Sequence, residues 1–120
     1  AYTIFPIFWN YRSMEQSDAV KCLAALAQAT RLEIYRALVV VGPSGVTPGQ
    51  LSEQLNLPAA TLSFHLKELH QSGLISQRRE SRNLIYTANY PHMNQLLAYL
   101  TENCCAGQDC LVDRSNSCEC

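Results

Sequence analysis

Two short helical segments joined by a tight turn, a hairpin with a charged tip behind them, and amphipathic helices on both flanks predict the fold class. It is mainly α with a small β-hairpin: a winged helix–turn–helix of five helices plus a wing. A chain of 120 residues allows one domain with one modest core. With 48% hydrophobic and 16% charged residues, global disorder is excluded.

The first helix is expected from about Ser17 to Ala29, with Val20, Leu23, Ala24 and Ala27 on its apolar face. The second starts at Thr30-Arg31-Leu32-Glu33, which fits a capping box in which Thr30 caps and Glu33 reaches back. Its stripe is Leu32, Tyr35, Leu38 and Val39, and Gly42-Pro43 stops it. A further capping box, Thr47-Pro48-Gly49-Gln50, opens a short third helix carrying Leu51 and Leu55, which Asn56 ends in the left-handed conformation. After Leu57-Pro58 a fourth helix runs to about Ser72, where Gly73 terminates it. Leu74–Gln77 and Leu84–Ala88 read as strands around Arg78-Arg79-Glu80-Ser81-Arg82-Asn83. The last helix is expected from about Pro91 to Asn103, with Met93, Leu96, Leu97 and Leu100 at near-ideal helical spacing.

The net charge of −1 argues against a general polyanion binder, but the charge is unevenly placed. Residues 58–90 carry Lys67, Arg78, Arg79 and Arg82 against Glu68 and Glu80, a local +2, while the other residues sum to −3. In the fourth helix, roughly 100° per residue groups Leu62, Leu66 and Leu69 on the buried face. The opposite face holds Ala60, Ser63, Phe64, Lys67 and Gln71, with Thr61 and His65 nearer the shoulders. This face suits the major groove of DNA. Ser63 can bond a base edge or phosphate, Lys67 can neutralise a phosphate, and Phe64 can touch a thymine methyl. Arg78, Arg79 and Arg82 at the hairpin tip supply a second contact, to phosphates or an adjacent minor groove.

The run Leu62-Ser63-Phe64-His65-Leu66-Lys67-Glu68-Leu69-His70-Gln71-Ser72-Gly73-Leu74-Ile75 resembles the core motif of the ArsR/SmtB family of metalloregulators. Leu26-Ala27-Gln28-Ala29-Thr30-Arg31-Leu32-Glu33-Ile34 resembles the same family's second-helix entry. The resemblance covers about residues 17–103. It implies a homodimer built on the first and last helices, which binds operator DNA and represses its own operon until an inducer binds. It also implies Ser63 and His65 as DNA-contacting positions. Periodicity leaves His65 on a shoulder, so its role rests on the resemblance.

Two of the family's inducer sites do not match. A C-x-C on the third helix is replaced by Gln50-Leu51-Ser52-Glu53-Gln54-Leu55. A His and carboxylate site on the last helix would need partners that His92 lacks at i+4 and i+7, so His92 is read as a solvated residue. What remains is a thiol cluster after the last helix: Cys104, Cys105 and Cys110. Adjacent cysteines strain a mutual disulfide, but both can face one ion, and Ala106-Gly107 lets Cys110 return. Three thiolates suit a soft trigonal-pyramidal ion, As(III) or Sb(III), as inducer. The pattern Glu102-Asn103-Cys104-Cys105…Asp109-Cys110 also resembles arsenic-responsive members of the family. Zinc or cadmium, with Asp109, Cys118 or Cys120 as fourth ligand, a methylated trivalent arsenical, and thiol redox sensing are the alternatives. Cys22 reads as an apolar filler, and Cys118 and Cys120 as spare thiols.

Five of the six cysteines follow residue 103, where they cannot staple the helical body. Residues 1–13 lack the pattern of a secretory signal, so reduced thiols and a cytoplasmic location are expected. No stretch is long and apolar enough to span a membrane. The chain divides into residues 1–13, a remnant before a start at Met14 or an aromatic arm; 14–103, the DNA-binding and dimerisation domain; and 104–120, a cysteine-rich metalloid-binding tail. An enzyme would show a C-x-x-C beside a βαβ unit or a glycine-rich cofactor loop. Neither is present, so no catalysis and no organic cofactor are expected.

Overall fold

The structure is a computed structural model that describes residues 14–103. Its elements are α1 (Gln16–Leu26), α2 (Ala29–Val41), α3 (Pro48–Leu55), α4 (Ala59–Gln71), β1 (Ile75–Glu80), β2 (Asn83–Ala88) and α5 (Tyr90–Leu100). This is the expected winged helix–turn–helix, five helices and a two-stranded antiparallel hairpin. The expectations for residues 1–13 and for the cysteines after residue 103 lie outside the described residues.

Local signals set most boundaries. Thr47 and Gln50 form the expected reciprocal capping box, with Pro48 in the first turn of α3. Asn56 ends α3 in the left-handed conformation at φ 55°. The start of α2 differs from expectation. Its cap is Gln28, whose Oε1 accepts from the Arg31 N–H at 2.8 Å, and Thr30 lies inside the helix. A longer side chain two residues upstream satisfies the free N–H, so the Thr30–Glu33 box does not form. The strands are also longer than expected, because pairing continues from Ile75↔Ala88 out to Glu80↔Asn83. The turn is then only Ser81-Arg82, with Ser81 at φ 56°.

α2 runs through the middle and packs on α1, α4 and β2. Ile34, Leu38, Leu51, Leu62, Leu69, Leu74, Leu96 and Cys22 are fully buried. Each large apolar side chain buried in this way stabilises the fold by about 1.5–3 kcal/mol. The stripe expected on α1 is turned. Ala19, Cys22 and Ala25 face the core, while Val20 is 55% exposed and Leu23 is also exposed. Small residues let α1 approach its neighbours closely, which leaves the larger ones outside. The stripes of α2 and α5 divide similarly. Ile34, Tyr35 and Leu38 are buried, with Leu32 and Val39 outside, and Leu96 is buried while Leu97 and Leu100 are each 53% exposed.

Candidate nucleic-acid interface

The turn between α3 and α4 is held from within. The Leu57 N–H donates to Ser52 O at 3.0 Å, and the Ser52 hydroxyl donates to Leu57 O. Pro58 follows and presets the backbone from which α4 starts. α4 then buries Leu62, Leu66 and Leu69, as its periodicity predicts. Ala60, Thr61, Ser63, Phe64, Lys67 and Gln71 are exposed. Phe64, at 57% exposure, is a large apolar side chain held out into solvent.

His65 is not on this face. It is 8% exposed and lies on the buried side of α4 with Leu62, Leu66 and Leu69. Its ring meets Phe64 edge-on, with centroids 5.3 Å apart. Nδ1 stands 3.4 Å from Nη1 of Arg31. Burial, and then the Arg31 charge, push its pKa below the ordinary 6.5, with Glu68 opposing. His65 thus lies on the buried side of α4, whereas Ser63 and Lys67 on the same helix are exposed.

The wing is seated by its backbone and by Arg78. Val46 pairs with Tyr86, with N···O distances of 3.0 and 2.9 Å. Gly45 makes this approach possible. At φ +74° a Cβ there would collide with Ile85 Cγ2 and Thr87 Cγ2. Arg78 donates to Pro43 O at 3.3 Å, to Ser44 O at 3.0 Å and to Glu80 at 3.2 Å. Its charge is engaged in holding β1 to the α2–α3 loop, so Arg78 belongs to the wing's anchor and not to its free tip. Arg79 points to the other face of the strand. Arg79 and Arg82 are exposed and make no ion pair among the described residues. Among the described residues, Lys67, Arg79 and Arg82 therefore supply free cationic charge on α4 and the wing.

Arg31 carries only a weak signal in the sequence, a cation in the first turn of a helix, where the dipole disfavours it. His92 also differs from expectation. Its ring packs against Gly73, where a Cβ would lie 2.7 Å from Nε2, and that nitrogen is buried without a partner among the described residues. Cys22 behaves as expected. It is fully buried with Sγ 3.5 Å from Ser72 O, and burial raises its thiol pKa, with Asp18 adding to the effect. Among the described residues no group of three His, Cys, Asp or Glu could hold a metal ion, and no helix is long and apolar enough to cross a membrane.

Comparison with known proteins agrees with this geometry. A helix–turn–helix domain model matches residues 26–78. An uncharacterized HTH-type transcriptional regulator, YceK of Bacillus subtilis, is 33% identical over 79 residues, covering 63% of this chain and 78% of the relative. The transcriptional activator HlyU of Vibrio cholerae is 31% identical over 93 residues, covering 76% and 83% respectively. The solved ArsR-like transcriptional regulator from Rhodococcus sp. RHA1 superposes with a TM-score of 0.64 at 25% identity, over 70% of this chain and 76% of that one.

Proposed function

The chain belongs to the ArsR/SmtB family of winged-helix transcriptional regulators, and from that premise we propose that it is a metalloid-responsive repressor. It binds operator DNA as a homodimer. It releases the DNA when As(III), or Sb(III), is captured by Cys104, Cys105 and Cys110. A reducing, cytoplasmic location keeps these thiols available.

The observation that carries the DNA reading is the outward face of α4. Ala60, Ser63, Phe64 and Lys67 stand exposed there, ahead of a wing whose Arg79 and Arg82 are free of ion pairs among the described residues. Ser63 reads a base edge, Phe64 meets a thymine methyl, and Lys67, Arg79 and Arg82 neutralise phosphates. Dimerisation is supported by the apolar residues left outside on α1 and α5: Val20, Leu23, Leu97 and Leu100. The inducer reading is supported by position. α5 ends at Leu100, and Asn103 turns the chain at φ 59° directly before Cys104. Ion capture there acts on the end of a dimer helix, and a small change in spacing between two reading heads is costly when half-sites lie about one helical turn apart.

The test is a titration of labelled upstream-promoter DNA with the protein, adding As(III), Sb(III), Zn(II) and Cd(II) separately. Release by As(III) or Sb(III) and not by Zn(II) is expected. Release by Zn(II) or Cd(II) alone overturns the metalloid reading, and tighter binding on adding As(III) overturns the repressor reading.

A further inference from the structure

Arg31 joins two helices that have different tasks. Its backbone N–H is held by Gln28, which places it in the first turn of α2. Its Nε donates to the carbonyl of Ala25 in the last turn of α1, at 2.7 Å. Its Nη1 stands 3.4 Å from Nδ1 of His65 on α4. One guanidinium thus touches the helix that leaves Val20 and Leu23 outside and the helix that carries Ser63 and Lys67.

A guanidinium only donates. Nδ1 of His65 must accept, so the imidazole must be neutral with its proton on Nε2. A protonated ring would set donor against donor and cation against cation. We propose that Arg31 is a positioning residue for DNA binding, seating α4 against the end of α1 through neutral His65. This rests on the reading of α4 as the DNA-contacting helix.

The surroundings of His65 are consistent with that role. Arg31 faces it from α2, Glu68 and Phe64 face it from α4, and Lys21 of α1 lines the same cleft as Arg31 and Glu68. The cleft, about 390 Å³, also takes in Gln71 and Ser72, so the Arg31 side of the bridge borders solvent. Glu68 favours the protonated ring, but burial and Arg31 outweigh it.

The test uses the whole chain. The imidazole titration of His65 is followed by NMR without DNA, and affinity for labelled promoter DNA is measured from about pH 8 to about pH 5.5. In the wild type, His65 should titrate below its ordinary range, and Arg31→Gln should move the midpoint upward. Arg31→Gln should weaken DNA binding by roughly tenfold at about pH 8, on the scale of one lost hydrogen bond to a charged group, and flatten the acid-side loss. His65→Gln, whose amide oxygen can still accept from Arg31, should keep the affinity and lose that acid-side loss. Arg31→Lys, with one ammonium for two acceptors, should fall between wild type and Arg31→Gln. It carries the same comparison should Arg31→Gln not fold. The proposal is overturned if Arg31→Gln or Arg31→Lys binds as wild type at every pH, or if the His65 midpoint does not move. Should no promoter DNA bind while the midpoint does move, the DNA reading of α4 falls and the positioning role with it, and the bridge stands as a structural contact alone.

Discussion

Arg78 on β1 donates to the backbone carbonyl of Ser44 at 3.0 Å, and this contact ties the wing to the loop ahead of the helix–turn–helix. Its neighbour Arg79 has no such tie among the described residues. Two adjacent arginines thus have separable roles. Arg79→Ala should weaken DNA binding similarly across sequences and lower the salt slope by roughly one unit, as expected for a lost phosphate contact. Arg78→Ala should leave the slope unchanged and loosen the wing, seen as faster amide exchange at Val46 and Tyr86. Equal slopes for Arg79→Ala and wild type would remove Arg79 from the interface.

Sequence reading should depend on Ser63. Ser63→Ala is expected to cost about 1–3 kcal/mol on the specific operator and little on unrelated DNA. An equal loss on both would make Ser63 a phosphate contact.

Neighbouring leucines on α5 should behave differently. Leu96 is fully buried, so Leu96→Ala should lower stability by about 2–5 kcal/mol in chemical denaturation. Leu97 and Leu100 are half-exposed, so charged replacements there should spare the fold and yield monomers that bind DNA poorly. A Leu97→Glu, Leu100→Glu double variant that stays dimeric in sedimentation would assign the dimer to another face.

The thiols should divide in the same way. Cys104→Ser, Cys105→Ser and Cys110→Ser are each expected to keep DNA binding and lose release by As(III). Cys118→Ser and Cys120→Ser should respond normally. Cys22 is buried and its thiol pKa is raised, so it should resist alkylation in the folded protein, and Cys22→Ser should also respond normally. If Cys110→Ser still releases DNA at the wild-type As(III) concentration, a two-thiol site for a methylated trivalent arsenical becomes the better reading.

Acid should destabilise the fold through His65. The pKa of the folded ring is lowered from 6.5, so as pH falls the unfolded chain takes up this proton first. The stability contributed by neutral His65 is complete above 6.5 and is lost as pH falls from there towards the folded value. Urea midpoints at about pH 7.5 and about pH 5.5 should differ more for wild type than for His65→Gln. An equal difference in the two proteins would mean that His65 is not the titrating group.

The amino-acid sequence by itself determined the elements that rest on short-range chemistry. Thr47 and Gln50 are close enough in the chain to cap one another, Asn56 can take the left-handed turn, and Leu62, Leu66 and Leu69 repeat at the helical period. Periodicity leaves His65 on a shoulder of α4, and nothing local supplies a partner for its ring. The partner is Arg31, on another helix. Tertiary structure alone decided this, as it decided that Arg78 would anchor the wing through Pro43 and Ser44. It also decided that α1 would bury Ala19, Cys22 and Ala25 and leave Val20 and Leu23 outside. The physical reason is the same in each case. Periodicity gives the angle of a side chain about its own helix, whereas burial and hydrogen bonding depend on which element packs there and how closely it approaches.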